Sequence, residues 1–437
     1  GAALAGGAAA GATGSGGSLL GLGVLVTLIG AILLGPMLAG VVIRVLGAWL
    51  PVVFGSLGTM AQRNALRNPR RTGATAAALM IGLSLVSGMA VVGSSLVTSA
   101  TSEMDKTVGA DYILTSGGGL RITPEALAKA RATPGLEHVT ENRFLDAAVS
   151  GAAGAAGGKM PFSASSPTMV QDFNARTTSG SLSDVFTKGG IALPEAEAKS
   201  RHLTVGSVTT VDFHGGSGPV QLPVLAIMRD DTVFNHGDGY VSLDTLSRTV
   251  PADKLPAVDL VFAKAAKGKQ DQAYQALKDS MAPFPQITVK SQTDYKKLIH
   301  DQVGGVLNMV YGLLALAIVV AILGVVNTLA LSVVERTREI GLTRAIGMSR
   351  RKTRRMIRLE SVVIALFGAT LGVGLGLAWG VAAQKVLSGI GISTLAIPVN
   401  TIVAVFIGAA VVGLLAALAP AFRASRMNVL RAIAADG

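Results

Sequence analysis

Five stretches of this chain are apolar, long and free of charge. Residues 72–102, 302–334 and 361–384 contain no Asp, Glu, Lys or Arg, and neither do 18–43 and 401–419. A helix needs ~20 apolar residues to cross a bilayer, so each stretch predicts a membrane span. The spans are set at 18–45, 69–102, 293–334 (where the helix begins as a stalk), 359–384 and 401–422.

Residues 103–292 follow a different rhythm. DYILTS reads as a strand, Thr123-Pro124-Glu125 to about Arg131 as a helix, and LEHVT as a strand. VDLVFAK, a helix over Lys269 to Met281, and ITVKS repeat that pattern at the other end. Between the two βαβ patterns an insertion, about 151–251, carries the strands VGSVTTVDF and VQLPVLAIM. Its entry, SGAAGAAGGKM, is low in complexity and is expected to be a mobile loop. The expected fold is a membrane α-helical bundle of five spans with one external α+β domain. That domain is a βαβ sheet-and-helix lobe plus an inserted β-rich lobe.

Charge orients these elements. Residues 335–358, between the third and fourth spans, hold nine Lys and Arg against Glu335 and Glu339. The positive-inside tendency makes this loop cytoplasmic. Alternation then puts 103–292 outside, the interfacial elbow 46–68 inside, 385–400 outside and the tail 423–437 inside. Residues 101–300 are nearly neutral, with 20 basic and 21 acidic residues. Of the 18 remaining cations all but Lys385 fall on the predicted cytoplasmic side. The net charge of +12 therefore reports membrane topology, and a nucleic-acid partner is not called for. The expected location is the cell membrane, crossed several times, with the large domain extracytoplasmic. Cysteine is absent, which removes thiol chemistry. Residues 1–17 are almost wholly Gly, Ala and Ser and read as a flexible segment of a fragment or processed product.

Catalytic patterns are weak. Gly158-Lys159 is followed by Met160 and has Ala153 where a phosphate-binding loop needs its first glycine. Leu387-Ser388-Gly389 matches part of a nucleotide-sandwich signature but sits on a predicted outer turn. His214 and His236 lie near Asp212, Asp230, Asp231 and Asp238 in Gly-rich turns, where solvated loop residues are the plainer reading than a metal site. The chain is expected to be no enzyme, with no cofactor or metal of its own.

Other features concern helices. Arg63 and Arg67, one turn apart in the elbow, with Arg70 and Arg71 beyond, can meet lipid phosphates. Asn68-Pro69 reads as an N-cap followed by proline at the first helical position. Gly368, Gly372, Gly376 and Gly380 recur every four residues, a stripe for close helix packing, either at a subunit interface or within the bundle. No proline interrupts Gln286 to Ile397, so Thr293–Val334 can form one helix about 60 Å long. In the basic loop Glu335 and Glu339 are four apart on one helical face, an acidic patch for a partner's basic groove. Leu342, Ala345 and Ile346 are apolar in a loop built for water and suit a protein contact; lipid anchoring of the same helix is the plainer alternative.

ERTREIGLTRAIGMSRR, followed by a glycine-rich span, resembles the FtsX-like permease domain of MacB-type and lipoprotein-releasing ABC transporters. The resemblance runs from about residue 58 to the end, and RNALRNPRRTGATAAALMIGL is similar to the opening of a repeat in large permeases of high-GC Gram-positive bacteria. The resemblance implies that the basic loop docks on a separate ATPase subunit, two copies per complex, which would hold ATP and Mg. The coupling residues would be Glu335, Arg336, Glu339, Ile340, Gly341, Arg344, Ala345 and Gly347. It implies mechanotransmission that moves the external domain, for export or extraction of a lipid, lipoprotein or peptide, with another permease half or copy as partner. The additional first span departs from a four-span repeat and suggests the second half of a duplicated permease. Regulation of a cell-wall hydrolase without cargo, or a membrane sensor or adhesion protein, are the alternatives.

Overall fold

The computed structural model describes residues 14–117, 121–151, 157–229 and 238–427. The chain folds into two compact units, one helical and one built on a sheet. The first takes residues up to Leu96, Val303–Gly389 and Ser393 onward; the second takes Val97–Gln302 and Ile390–Ile392.

In the helical unit α1 is Gly14–Leu46. The elbow is helical: α2, Trp49–Phe54, turns at Gly55 into α3, Ser56–Arg67. A Cβ on Gly58 would lie 2.1 Å from the Leu50 carbonyl oxygen, so only glycine lets α3 lie on α2. Asn68 leaves helical geometry (φ −127°, ψ 75°), and its carbonyl accepts from Thr72 N at 3.0 Å. Pro69 then opens α4, Pro69–Thr107, where its missing N–H costs nothing. Among the described residues five helices are long and apolar enough to cross a membrane. Besides α1 and α4 these are α7, Gln292–Glu335, then α9, Arg350–Leu387, and the run Val399–Arg426, formed by α10 (Val399–Ala416) and α11 (Leu418–Arg426).

Small residues decide which spans touch. Built Cβ atoms on Gly368, Gly372 and Gly376 would meet the carbonyls of Ala76, Met80 and Ser84 at 2.9, 2.8 and 2.4 Å. One on Gly380 would meet Val91 Cβ at 2.6 Å. The stripe thus seats α9 on α4 inside one chain. Gly413 of α10 lies against Ala365 and Ser361, and Ser361 Oγ donates to its carbonyl at 2.7 Å. α1 joins the same bundle: Pro36 presses on Gly73, and Trp379 Nε1 donates to Thr27 Oγ1 at 2.9 Å.

The second unit holds two interlocked split βαβ motifs. β1 (Tyr112–Ser116) leads through α5 (Pro124–Arg131) to β2 (Leu136–Val149). β9 (Leu260–Ala265) leads through α6 (Gln270–Met281) to β10 (Ile287–Ser291). The order is β10-β1-β9-β2, with β1 antiparallel to both β10 and β9 and β2 antiparallel to β9. Thr123 caps α5 by accepting from Ala126 N at 3.3 Å, and Pro124 follows at the first helical position. In α6 Ala273, Leu277 and Met281 recur every four residues and are buried against Leu114, Val261 and Val289. The Tyr112 phenol donates to the Gln270 carbonyl, and burial pushes it up to about 12.

β2 runs for 14 residues. Its first half pairs with β9; from Asn142 onward it pairs with β3 (Gly158–Ser165) and then also with β6 (Val208–Phe213). Among the described residues the insertion therefore continues one ten-stranded sheet. β3, β8 (Gly239–Ser242), β5 (Ile191–Pro194), β7 (Val220–Met228) and β4 (Thr177–Gly180) follow in that order. Its own core centres on Phe162 and Phe213, edge to face at 5.8 Å, with Leu193, Val224 and Val241.

Candidate functional site

α7 ends at Glu335 because Arg336 (φ −102°, ψ 18°) leaves the helical path. Thr337–Ala345 then forms a separate short helix, α8. Its end is fixed by glycine: Gly347 has φ +110°, which a side chain would disfavour. Met348 N reaches the Thr343 carbonyl at 3.1 Å and Gly347 N that of Arg344 at 3.2 Å, a Schellman cap. Ser349 Oγ accepts from Lys352 N at 3.3 Å and opens α9, so α9 starts at Arg350, inside the stretch read as loop.

The inner face of α8 is packed. Ile340 is 5% exposed in a cluster with Val333, Met356, Ile357, Ala421 and Ala424, and Gly341 beside it is buried. Arg344 Nη1 donates to the Met427 carbonyl at 2.6 Å. The outer face is bare: Leu342 is 55% and Ile346 81% exposed, with Ala345 and Gly347 exposed beside them.

A polar network holds α8 against the elbow. Arg67 Nη1 meets Glu339 Oε1 at 2.7 Å, and Arg71 pairs with Glu335. Arg336 bridges Glu339 and Glu360, each at 3.3 Å, and Asn64 Nδ2 donates to Glu360 Oε2 at 3.4 Å. A cavity of about 30 Å³ beside Asn64, Thr75, Ser332, Arg336 and Glu360 has room for about one water. Partial burial would raise the Glu339 carboxyl, but Arg67 and Arg336 outweigh it and hold the group below the ordinary carboxylate range.

The residues singled out from sequence thus separate by direction. Ile340 and Gly341 face the bundle, while Ala345 and Gly347 face out with Leu342 and Ile346. Glu335, Arg336, Glu339 and Arg344 are occupied within the chain. Of the elbow cations read as lipid anchors, Arg67 and Arg71 turn to these glutamates, and Arg63 and Arg70 are exposed and unpaired among the described residues. Asn64 and Glu360 escaped the sequence reading. The available signal was a lone carboxylate at the edge of a charge-free run, which a span tolerates only with a partner. Among the described residues no cluster of His, Cys, Asp or Glu fits a metal; Asp230, Asp231 and His236 lie outside the described residues.

Two family profiles match this chain: the FtsX-like permease C-terminal domain over residues 311–429 and the MacB-like periplasmic core domain over residues 72–280. The chain belongs with the MacB-type, FtsX-like ABC transporter permeases. An uncharacterized ABC transporter permease protein of Mycobacterium tuberculosis is 25% identical over 94% of this chain and 49% of its own length. The macrolide export ATP-binding/permease protein MacB of Bdellovibrio bacteriovorus is 34% identical over 27% of this chain and 18% of its own. The chain thus spans about half, or less, of the curated relatives it matches. The periplasmic region of MacB from Actinobacillus actinomycetemcomitans aligns with 45% of this chain and 95% of its own at 12% identity, with a TM-score of 0.35.

Proposed function

We propose that this chain is the membrane-spanning part of an ABC transporter whose ATPase is a separate subunit, docked on the outer face of α8. ATP and Mg bind that subunit, two copies per complex, and this chain holds neither. The observation that carries the reading is the division of α8. One face is locked by Ile340 and the ion pairs of Glu339, while Leu342 and Ile346 stand exposed in a strongly basic surrounding. A rigidly held helix with a bare apolar pair can take up force from a soluble partner. The side bearing α8 is cytoplasmic and the sheet unit extracytoplasmic in the cell membrane, in keeping with the placement of basic residues.

Motion of α8 passes into α7, which continues unbroken for 44 residues, about 66 Å. Its outer part and the end of α4 belong to the sheet unit, so both helices are chain links through which the external domain is moved. Export or extraction of a lipid, lipoprotein or peptide is the activity this supports. A second permease half or copy is supported by α7, where Val306, Met309, Leu313, Leu316, Val320 and Leu323 are exposed at alternating spacings of three and four.

The test is co-purification from the native membrane with ATPase assay. A stoichiometric soluble ATPase is expected, released by Leu342→Asp with Ile346→Asp. Recovery of the chain without any ATPase, or retention of the ATPase by the double variant, would overturn the proposal.

A further inference from the structure

The first turns of α9 run against local electrostatics. The positive end of a helix favours acidic side chains, yet α9 opens with Arg350, Arg351 and Lys352 and has no acid in its first turn. Arg354, Arg355 and Arg358 follow. Among the described residues Arg351, Lys352, Arg355 and Arg358 make no ion pair, while the neighbouring arginines 67, 71 and 336 all do. The Nε–H of Arg358 is buried without an acceptor. A buried donor left unmade is costly and uncommon, and points to a group that completes it.

These cations line a hollow of about 650 Å³, within the ~300–1,000 Å³ usual for small-molecule sites. Its other wall is apolar: Phe54 and Leu57 from the elbow, Leu359 and Val362 from α9, and Leu414 from α10. The Arg355 guanidinium stands 5.8 Å from the centre of the Phe54 ring, which ties the basic wall to the elbow. No described acidic side chain lines the hollow.

A basic wall facing an apolar one fits an anion with a hydrocarbon tail. Guanidinium forks match phosphate oxygens in pairs, and the apolar wall gives an acyl chain a surface to follow. A soluble phosphate ester or an acidic protein segment would satisfy only the basic half.

We propose that this hollow binds one anionic phospholipid, its phosphate held by Arg351, Arg355 and Arg358 and an acyl chain laid along Leu359, Val362 and Leu414. The source of the lipid, the cytoplasmic leaflet, rests on the topology proposed above; the recognition chemistry does not. The bound lipid supplies the anion that the start of α9 lacks and joins the elbow to the span that follows α8.

The full chain in neutral detergent is titrated with phosphatidylglycerol and, separately, phosphatidylcholine of the same acyl chains, and adducts are counted by native mass spectrometry. One phosphatidylglycerol is expected to bind in preference to phosphatidylcholine. Arg351→Gln with Arg355→Gln removes two exposed cations and should weaken it about fivefold for each. Lys254→Gln with Lys267→Gln, exposed cations of the sheet unit outside the hollow, should leave it unchanged, and an unaltered melting temperature in both variants excludes misfolding. Equal binding of the two lipids, or no effect of the first variant, would overturn the proposal. So would displacement by excess inorganic phosphate, which assigns the site to a soluble anion, or by the ATPase subunit, which assigns the basic wall to protein. Recovery of the chain from its native membrane without any ATPase, with lipid binding intact, would overturn the transporter reading and leave this one standing.

Discussion

α9 and α7 are both long apolar helices, yet the most apolar window of α9 is 56% buried in the protein and that of α7 only 12%. The difference lies in side-chain size. α9 carries glycine every fourth residue and brings its backbone onto α4, whereas α7 presents Val, Met and Leu where α9 presents glycine. Hydropathy marks a helix as membrane-spanning; the placement of small residues says which neighbour it meets. α7 does reach α4, where built Cβ atoms on Gly93 and Gly82 would meet Leu307 Cδ1 at 2.4 Å and Ile318 Cγ1 at 3.2 Å, but these contacts are made by long side chains of α7, whereas the glycines of α9 meet backbone.

The sharpest way to break this contrast is to fill the seam. Gly376→Leu should destabilise the bundle by about 3 kcal/mol, read as lost thermal stability and yield of monodisperse protein, because the Ser84 carbonyl cannot move aside without its helix. Gly374→Leu, on the same helix with open space around it, should change almost nothing. Leu313→Ala with Leu316→Ala on α7 should leave the melting temperature of the isolated chain nearly unchanged while weakening association with a second permease half or copy by about tenfold, measured by sedimentation in detergent. An effect on the isolated chain as large as that of Gly376→Leu would show that α7 is packed as tightly as α9.

Smaller effects probe the joints between helices. Trp379→Phe removes the hydrogen bond to Thr27 and should cost about 1 kcal/mol, seen as earlier proteolytic release of α1. The Glu339 carboxyl is held below its ordinary range, so its ion pairs stabilise above the unfolded carboxylate value near ~4.3 and are lost as pH falls through the folded value. Glu339→Gln should lower the melting temperature slightly at neutral pH and leave it unchanged below the folded value, so that the acid limb of the melting curve flattens. The group is partly exposed, so the whole effect stays below about 1 kcal/mol.

What could be read from the chain depended on range. Spans follow from local composition, and the five charge-free runs correspond to the five long apolar helices. The strands DYILTS, VDLVFAK and ITVKS follow from local alternation, and their βαβ spacing leads to the α+β fold. The unity of the sheet was hidden because β2 is a single strand that serves two sets of partners, and pairing beyond Asn142 leaves no trace in its own alternation. The elbow cations read as lipid anchors because their glutamates lie 264 and 272 residues away. The acidic positions looked like a docking patch for the same reason: a spacing of four suggests one helical face, but Glu335 closes α7 and Glu339 lies in α8, and Arg71 and Arg67 already pair with them. Leu342 and Ile346 were visible as apolar residues in a basic loop; that Ile340 points the other way required the packing of Met356 and Ala421.

The most direct test of the division of α8 uses the absence of cysteine from the chain. Single cysteines placed at Leu342, Ile346 and Ile340 in the membrane-embedded complex are treated with a short thiol-reactive cross-linker, and the products are identified by mass spectrometry. Cross-links to an ATPase subunit from Leu342→Cys and Ile346→Cys, and none from Ile340→Cys, are predicted. Cross-links from Ile340→Cys alone, or no cross-link to any protein from all three, would contradict the account.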